Sequence, residues 1–264
     1  CDLRFKGMAI AGWNSTAVTK PDTISAAATI TNGDMETDAS GWTGGARSNV
    51  KFHGGAYSWV SAAIQEIYQD AVTWDASWKS KLFTFGIWLN SGTLGAGQCR
   101  IKINDGVGET SSAWNILLDG WQYLSVSRVL DASATRLRLI MDNDNATSTY
   151  WDDAQVGSPV AGTTVCWMDF NSALYMASGS LLSKLNGAGT AFTAVVSFPA
   201  TITDLEVHGE YLYIALGTSS PYWYMNTSEL VSSTINSVAA NKFQFFKTVY
   251  TTATTLYGND GVNT

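Results

Sequence analysis

Tryptophan is the side chain in this sequence best suited to hold a ligand, because its ring offers a flat apolar face and one N–H donor. Eleven of the 264 residues are Trp. Trp88 is the first candidate, since strand alternation places it on the face opposite Phe83 and Phe85. Trp59 and Trp114 come next, because polar residues flank each of them. For each Trp taken alone, packing in the protein interior is the alternative interpretation.

Catalytic residues are not brought together by any pattern in the sequence. The two histidines, His53 and His208, stand in separate regions, so no Ser-His-Asp or Cys-His arrangement can be read. The acidic run at 142–145 is typical of a turn between strands, and a glycosidase needs two carboxylates across a cleft. The sequence contains no phosphate-binding loop and no dinucleotide fingerprint. We therefore predict a protein that is not an enzyme.

The cysteines do not form a metal-ligand pattern or a disulfide framework. There are three of them, at wide spacings: Cys1, Cys99 and Cys166. We predict that Cys99 and Cys166 are small buried residues.

Composition and charge exclude further classes of protein. The chain has 15 Lys and Arg against 22 Asp and Glu, a net charge of −7, which disfavours binding to nucleic acid. No apolar run reaches the 18 or so residues that a bilayer-spanning helix needs. Only 14% of residues are charged, whereas long surface helices are rich in Glu, Lys and Arg. We therefore predict an all-β protein.

The middle of the chain has the pattern of a β-sandwich, after an N-terminal arm at 1–30. Between residues 31 and 157, short alternating segments are separated by Gly, Asn, Asp and Ser. Alternation in the last segment places Asp152, Ala154 and Val156 on one face, which we expect to be the core. Nine strands are predicted, near 48–53, 57–62, 64–70, 82–90, 98–104, 111–118, 122–129, 135–142 and 149–156.

After a linker at 158–162, residues 163–264 contain a weak repeat. A turn followed by Leu-Tyr in a strand occurs at Leu174, Leu212 and Leu256, a spacing of about 40 residues that is typical of propeller blades. Propellers close with about four to eight blades, so we predict a partial β-propeller-like domain completed by protein neighbours. A second ordinary β domain is the alternative.

Three landmarks within residues 31–157 resemble the jelly-roll carbohydrate-binding modules of families 4 and 9 and their galactose-binding-like relatives. The first is Asn-Gly-Asp-Met-Glu at 32–36, followed by Gly-Trp at 41–42. The second is Tyr-Gln at 68–69, which leads into the strand at 82–89. The third is Gly-Trp-Gln at 120–122, with Tyr-Trp-Asp-Asp-Ala-Gln-Val at 150–156. The tail after residue 160 also resembles blade segments of phage structural or tail proteins.

The resemblance implies a structural Ca²⁺ ion bound by Glu36 and Asp152, since members often bind calcium at these two motif positions. It implies sugar binding by aromatic stacking, with polar side chains for the hydroxyl groups, and it makes Trp42 and Trp121 core residues. The predicted ligand-binding residues are Trp88, Trp59, Trp114, Gln69, Arg100 and Asn115.

These observations predict a non-enzymatic carbohydrate-binding or adhesion module on an extracellular or virion-surface assembly, as an oligomer or part of a larger complex. The alternative is a structural subunit of a phage particle or filament, whose jelly roll makes protein contacts only. In the first case the Trp88 face is an open groove.

Overall fold

The computed structural model describes residues 18–92, 97–144, 146–233, 239–240, 242–247 and 254–259. Regular structure in this part of the chain consists of β-strands and one short 3₁₀ turn, Ala76–Trp78, which Asp75 caps by accepting a hydrogen bond from Ser77 N–H. Within those ranges no helix is long and apolar enough to cross a bilayer. The all-β prediction is confirmed.

The first half of the chain forms a sandwich of two antiparallel sheets. The first sheet has the order β1-β2-β9-β4-β7 and the second has the order β3-β8-β5-β6. This confirms the predicted β-sandwich, and its bounds at 31 and 157 stay a prediction. The strands are β1 (Ala46–Ser48), β2 (Ser58–Ser61), β3 (Gln65–Asp70), β4 (Leu82–Asn90), β5 (Cys99–Asn104), β6 (Glu109–Ser111), β7 (Trp121–Val129), β8 (Arg138–Asn143) and β9 (Thr149–Gly157).

The core between the two sheets follows the alternation of the sequence. Phe83, Phe85 and Ile87 on β4 face the second sheet and are fully buried. Trp42 belongs to the same core, as predicted. Trp121 does not, because it lies half-buried at the start of β7, beside the His53 ring. Cys99 and Cys166 are buried free cysteines, as predicted.

A β-bulge in β9 changes the faces on which its residues lie. Gly86 pairs with Gln155, but two residues further along β4 Trp88 pairs with Asp152, so β9 contains one extra residue. The bulge lies at Asp153, which has a left-handed φ of 53°. Asp152 therefore shares the outer face with Trp88, whereas Trp151 joins the core. The prediction that Asp152 faces the core together with Ala154 is corrected by this bulge.

The second half of the chain contains two four-stranded antiparallel sheets, with the orders β10-β11-β12-β13 and β14-β15-β17-β18. Successive strands are neighbours in the first of these sheets, as in a propeller blade, whereas in the second β15 pairs with β17 and the intervening β16 pairs with β19. The three predicted repeats fall in β11, β15 and β21, but a propeller stays a prediction. The strands are β10 (Thr164–Phe170), β11 (Ala173–Ser178), β12 (Leu181–Leu185), β13 (Phe192–Ser197), β14 (Asp204–His208), β15 (Tyr211–Ala215), β16 (Gly217–Pro221), β17 (Trp223–Asn226), β18 (Val231–Ser233), β19 (Ala239–Ala240), β20 (Lys242–Lys247) and β21 (Thr254–Asn259).

The two halves pack directly against each other through the first sheet. The Tyr123 ring on β7 meets the Trp223 ring edge-on, with 5.3 Å between centroids. Ser125 Oγ donates to the carbonyl of Val231 at 3.0 Å. The intervening segment is also packed, since Ser158 Oγ accepts from the Ala28 N–H at 2.8 Å. One part of the outer face of the first sheet is therefore an internal contact.

Candidate ligand-binding surfaces

The Trp88 ring, the first candidate for sugar stacking, is covered. The His53 ring lies parallel to it, with 4.1 Å between centroids and 14° between planes. Tyr123 meets it edge-on, with a centroid separation of 5.4 Å. Trp88 is half-buried and also packs against the core of the second half. The predicted open groove at Trp88 is therefore corrected, because His53 stacks on the ring where a sugar would.

The loop that carries His53 is fixed to the sheet by carboxylates. Asp152 Oδ2 accepts from the backbone N–H groups of His53 at 2.7 Å and Gly54 at 3.1 Å. Asp153 Oδ2 lies 2.9 Å from His53 Nδ1. Glu36 Oε1 accepts from the N–H groups of Ala56 and the following residue, both at 2.9 Å. These hydrogen bonds hold the loop over the Trp88 face.

Two glycines explain how the chain approaches these carboxylates so closely. A Cβ atom at Gly54 would lie 2.9 Å from Asp153 Oδ2, and one at Gly55 would lie 2.3 Å from Glu36 Oε1. Gly55 also has a φ of 61°, which side chains rarely adopt. The sequence did not predict the stacking of His53 on Trp88, although the two glycines directly after His53 indicate a tight turn there.

Asp152 is a buried carboxylate in an unfavourable electrostatic position. Burial, together with the neighbouring charge of Asp153, raises the pKa of Asp152 to about 7, although three backbone N–H groups oppose the shift. Two of these belong to His53 and Gly54, and the third is that of Asp153, at 2.8 Å from Oδ1.

The donors around Glu36 and Asp152 do not fit the predicted Ca²⁺ ion as they are arranged. Calcium takes six to eight oxygen ligands, but N–H groups already occupy Glu36 Oε1 and both oxygens of Asp152. In the part of the chain that the structure describes, no group of three or more His, Cys, Asp or Glu side chains is placed to hold a metal ion. This arrangement disfavours the Ca²⁺ ion that the resemblance implies, and the prediction itself stays untested.

Further along β4 the same face is covered by Tyr123. A Cβ atom at Gly86 would lie only 2.0 Å from the Tyr123 hydroxyl oxygen, so glycine is what makes room for this ring. Burial raises the pKa of the Tyr123 phenol well above its ordinary value, and the charge of Asp153 adds to the shift.

Three of the predicted ligand residues lie inside the sandwich, which corrects their placement on a ligand surface. Trp59 is buried and its Nε1 donates to the carbonyl of Gly44 at 2.8 Å. Gln69 is buried and its Nε2 donates to the carbonyl of Thr31 at 2.9 Å. Asn115 is buried and its Oδ1 accepts from the N–H groups of residues 98 and 99. The polar groups of these three side chains bind backbone groups of the protein, and the side chains are too buried to contact a sugar.

The structure does bring Trp114 and Arg100 together, on the outer side of the second sheet. The Arg100 guanidinium carbon lies 4.2 Å above the centre of the Trp114 ring, close enough for a cation–π interaction. Trp114 keeps 36% of its surface exposed. Arg100 Nε donates to Asp142 Oδ2 at 2.9 Å, which fixes the guanidinium in place. An aromatic ring and a positioned cation therefore meet at the surface.

A network of charges continues across this sheet from Arg100. Lys102 Nζ lies 2.8 Å from Asp142 Oδ2 and 2.6 Å from Glu66 Oε1, with Glu109 at 4.0 Å. Burial lowers the pKa of Lys102, but the hydrogen bonds to Asp142 and Glu66 outweigh it and hold the pKa above its usual value. The charged side chains of this network are thus paired with one another.

Known structures are similar to about half of this chain. They include a family 61 carbohydrate-binding module in complex with β-1,4-galactotriose (15% identity, 50% of this chain and 99% of that chain, TM-score 0.39). A family 16 module shares 17% identity over 48% of this chain and 97% of that chain, with a TM-score of 0.37. The enzymatically active domain of tailspike protein 4 from bacteriophage CBA120 shares 15% identity over 50% of this chain and 21% of that chain, with a TM-score of 0.36. No protein-family model and no curated protein matches the chain.

Proposed function

We propose that this protein is a non-enzymatic carbohydrate-binding module whose ligand surface is the Trp114–Arg100 pair. The observation that carries the proposal is the Arg100 guanidinium held 4.2 Å above a tryptophan ring that is itself 36% exposed. Of the three predicted stacking residues, Trp59 is in the core and Trp88 is covered by His53. Trp114 is the one that has an accessible ring.

The chemistry of the pair suits a sugar. The apolar face of a pyranose ring packs on an indole, and its hydroxyl groups need donors and acceptors whose directions are fixed. Arg100 donates through Nε to Asp142, and the guanidinium has further terminal N–H groups that can donate to hydroxyl groups. One such surface binds weakly, and display of many copies adds affinity.

The setting that we propose is an extracellular or virion-surface assembly. Two four-stranded sheets in nearly sequential order support a propeller-like second half. In this proposal, protein neighbours complete that half and bring several Trp114 surfaces together.

The experiment is a glycan array probed with the wild-type chain and the Trp114→Ala and Arg100→Ala variants. Retention on the bound glycans should be lost in Trp114→Ala and reduced in Arg100→Ala, with unchanged circular dichroism. Phe52→Ala is the matched control, because Phe52 is also an exposed ring but lies in another loop. Equal retention of Trp114→Ala and wild type, or a wild-type chain that binds no glycan, would refute the proposal.

A structural subunit is the second candidate function, and a different surface favours it. Five large apolar side chains are exposed around the ion pair of Lys51 and Asp119, and such clusters often mark protein contacts. In that case Leu118→Glu should weaken assembly, whereas Trp114→Ala should leave it intact. The five residues are Val50, Phe52, Ile116, Leu117 and Leu118.

A further inference from the structure

A groove lined by two tryptophans, Trp74 and Trp78, lies beside the sandwich. One wall is the N-terminal arm near Thr29, and the other is the loop that follows β3, which we call the groove loop (residues 71–78). The volume of the groove is about 380 Å³. Sites for small ligands have volumes of about 300 to 1,000 Å³, so the groove is large enough to hold one.

The groove and the Trp114 surface lie at opposite ends of the second sheet. Ala71, the first residue of the groove loop, donates its N–H to the carbonyl of Leu137, directly before β8. Arg100, which lies over Trp114, pairs with Asp142, five residues further along the chain. At about 3.4 Å per residue, these two positions on β8 are roughly 17 Å apart. A single sugar ring therefore cannot contact both places.

The two tryptophans give the groove an aromatic surface. Trp78 is buried and meets Trp74 edge-on, with 5.7 Å between ring centroids. Trp74 is half-buried, so part of its indole remains accessible. Trp78 Nε1 is buried and has no hydrogen-bond partner among the residues that the structure describes. A buried N–H without an acceptor is unfavourable, and a hydroxyl oxygen of a ligand in the groove is one source of that acceptor.

Polar groups surround this aromatic surface. Thr29 and Thr73 provide hydroxyl groups and Asp75 provides a carboxylate, and all three residues are exposed. Hydrogen bonds from Ser77 lower the pKa of Asp75, so at neutral pH the carboxylate is ionised and accepts hydrogen bonds. An indole face with hydroxyl groups and a carboxylate beside it matches the apolar face and the hydroxyl groups of a sugar ring.

The walls of the groove are held in place by the protein itself. Val72 N–H donates to the carbonyl of Thr29 at 2.9 Å, and Ala28 N–H donates to Ser158 Oγ at 2.8 Å. Thr73 has a φ of 63°, which is a strained conformation for a β-branched residue. Strain of this kind persists where the surrounding structure maintains it, and it is concentrated at functional sites.

We propose that the groove is a second binding site, which takes one ring of a neutral sugar on Trp74. The hydroxyl groups of the sugar bind Asp75 and the hydroxyls of Thr29 and Thr73. The ligand is neutral because Asp75 carries the one charge among the described residues that line the groove. This site goes beyond the proposed function, since the Trp114 surface takes no part in it.

The test is an NMR titration of the nitrogen-labelled full chain with glucose, galactose, mannose and N-acetylglucosamine. It is read on the indole N–H signals of Trp74 and Trp78, which Trp74→Phe and Trp78→Phe assign. At least one of the four sugars should shift both signals in a saturable manner, in wild type and in Trp114→Ala alike. Trp74→Ala should raise the Kd for that sugar at least about tenfold. The wild-type titration does not depend on the folding of any variant.

Thr73→Gly separates binding from stability. Glycine adopts a positive φ without strain, so this variant should keep or raise the Tm, while the loss of the hydroxyl should raise the Kd about threefold to tenfold. Ser172→Gly is the matched control, because Ser172 has a φ of 61° in an exposed turn of the second half. It should leave the Kd unchanged. Equal Kd values for Thr73→Gly and wild type would overturn the assigned role of Thr73.

The possible failures separate this inference from the proposed function. If none of the four sugars shifts the Trp74 and Trp78 signals, the inference is wrong, whatever the glycan array shows for Trp114. If the signals shift but the array shows no dependence on Trp114, the proposed function fails and the second site stands. Signals that move with protein concentration and not with sugar would show that the groove holds a second copy of the chain, which also overturns the inference.

Discussion

Trp88 and Trp114 lie on the outer faces of the two sheets of one sandwich, and they differ in what packs over them. The Trp88 ring is covered by His53 and Tyr123. The Arg100 guanidinium lies over the Trp114 ring, and Trp114 keeps 36% of its surface exposed. Exposure here depends on segments far away in the sequence: the loop at 49–57 and the second half of the chain close one face and leave the other open.

The difference also assigns different roles to polar groups on the two faces. On the covered face, carboxylates anchor backbone N–H groups, as Asp152 does for His53. On the open face, carboxylates pair with cationic side chains, as Asp142 does with Arg100 and Lys102. Removing a group from the covered face should therefore cost stability, and removing one from the open face should cost mainly binding.

The largest expected effect is on the free energy of unfolding, for a substitution where the second half of the chain packs on the covered face. Trp223 is buried, and its ring lies 5.3 Å from both Tyr123 and Phe198. Trp223→Ala should lower the free energy of unfolding by about 3 to 5 kcal/mol, because it leaves a large cavity. Trp114→Ala should lower it by less than about 1 kcal/mol, the range of an exposed cation–π pair.

Urea unfolding followed by circular dichroism measures both changes. Similar losses for Trp223→Ala and Trp114→Ala would break the contrast between the two faces. A loss in Trp223→Ala confined to a separate, early transition would show that the two halves unfold independently.

A smaller effect is expected where the open sheet is joined to the covered one. Asp105 follows β5 of the second sheet, is fully buried, and accepts from Arg128 Nε on β7 of the first sheet at 2.8 Å. It also accepts from the N–H groups of Val107, Gly108 and Asp131. Burial raises the pKa of Asp105, but these donors outweigh it and hold the pKa well below its usual range.

Asp105→Asn should therefore cost about 2 to 3 kcal/mol at neutral pH, since it removes charge-assisted hydrogen bonds. A lowered pKa stabilises the fold above the ordinary aspartate pKa of about 3.9, and this stabilisation is lost as the pH falls below that value. Between pH 6 and pH 3 the titration of Asp105 should lower the wild-type free energy of unfolding by roughly 1 kcal/mol. The variant should lack this part of the pH dependence. Urea unfolding between pH 6 and pH 3 measures it.

The control for Asp105→Asn is Asp119→Asn, because Asp119 forms an exposed ion pair with Lys51. Exposed pairs contribute about 1 kcal/mol or less, so this variant should change little at any pH. Equal pH slopes for wild type and Asp105→Asn would contradict the assigned role of Asp105.

The sandwich was predictable from the sequence because alternation is a local property. Phe83 and Phe85 mark the buried face of β4 without any knowledge of their partners. The position of Asp152 was not predictable, since it depends on the extra residue at Asp153, where the alternation is interrupted.

The candidate site was predictable only in part, for the same physical reason. Trp114 was predicted from the polar residues that flank it, and Arg100 was predicted as a polar partner for sugar hydroxyl groups. The cover over Trp88 was missed, since the stacking of His53 depends on a turn that brings the loop back over the sheet. Burial by a distant segment leaves no alternation pattern in the sequence. The burial of the Gln69 and Asn115 amides was missed for the same reason.

The smallest expected effect concerns calcium on the covered face. A Ca²⁺ ion needs six to eight oxygen ligands, but backbone N–H groups already occupy Asp152 Oδ2 and Glu36 Oε1. We therefore expect a chelator to leave the Tm unchanged. Glu36→Gln keeps the acceptor for the N–H groups of Ala56 and Tyr57, so the Tm of this variant should be equally insensitive to chelator and to added Ca²⁺. A wild-type Tm that falls with EDTA and recovers with Ca²⁺, in a manner that Glu36→Gln abolishes, would instead show that a cation displaces these N–H groups. The Trp88 face would then be held closed by metal.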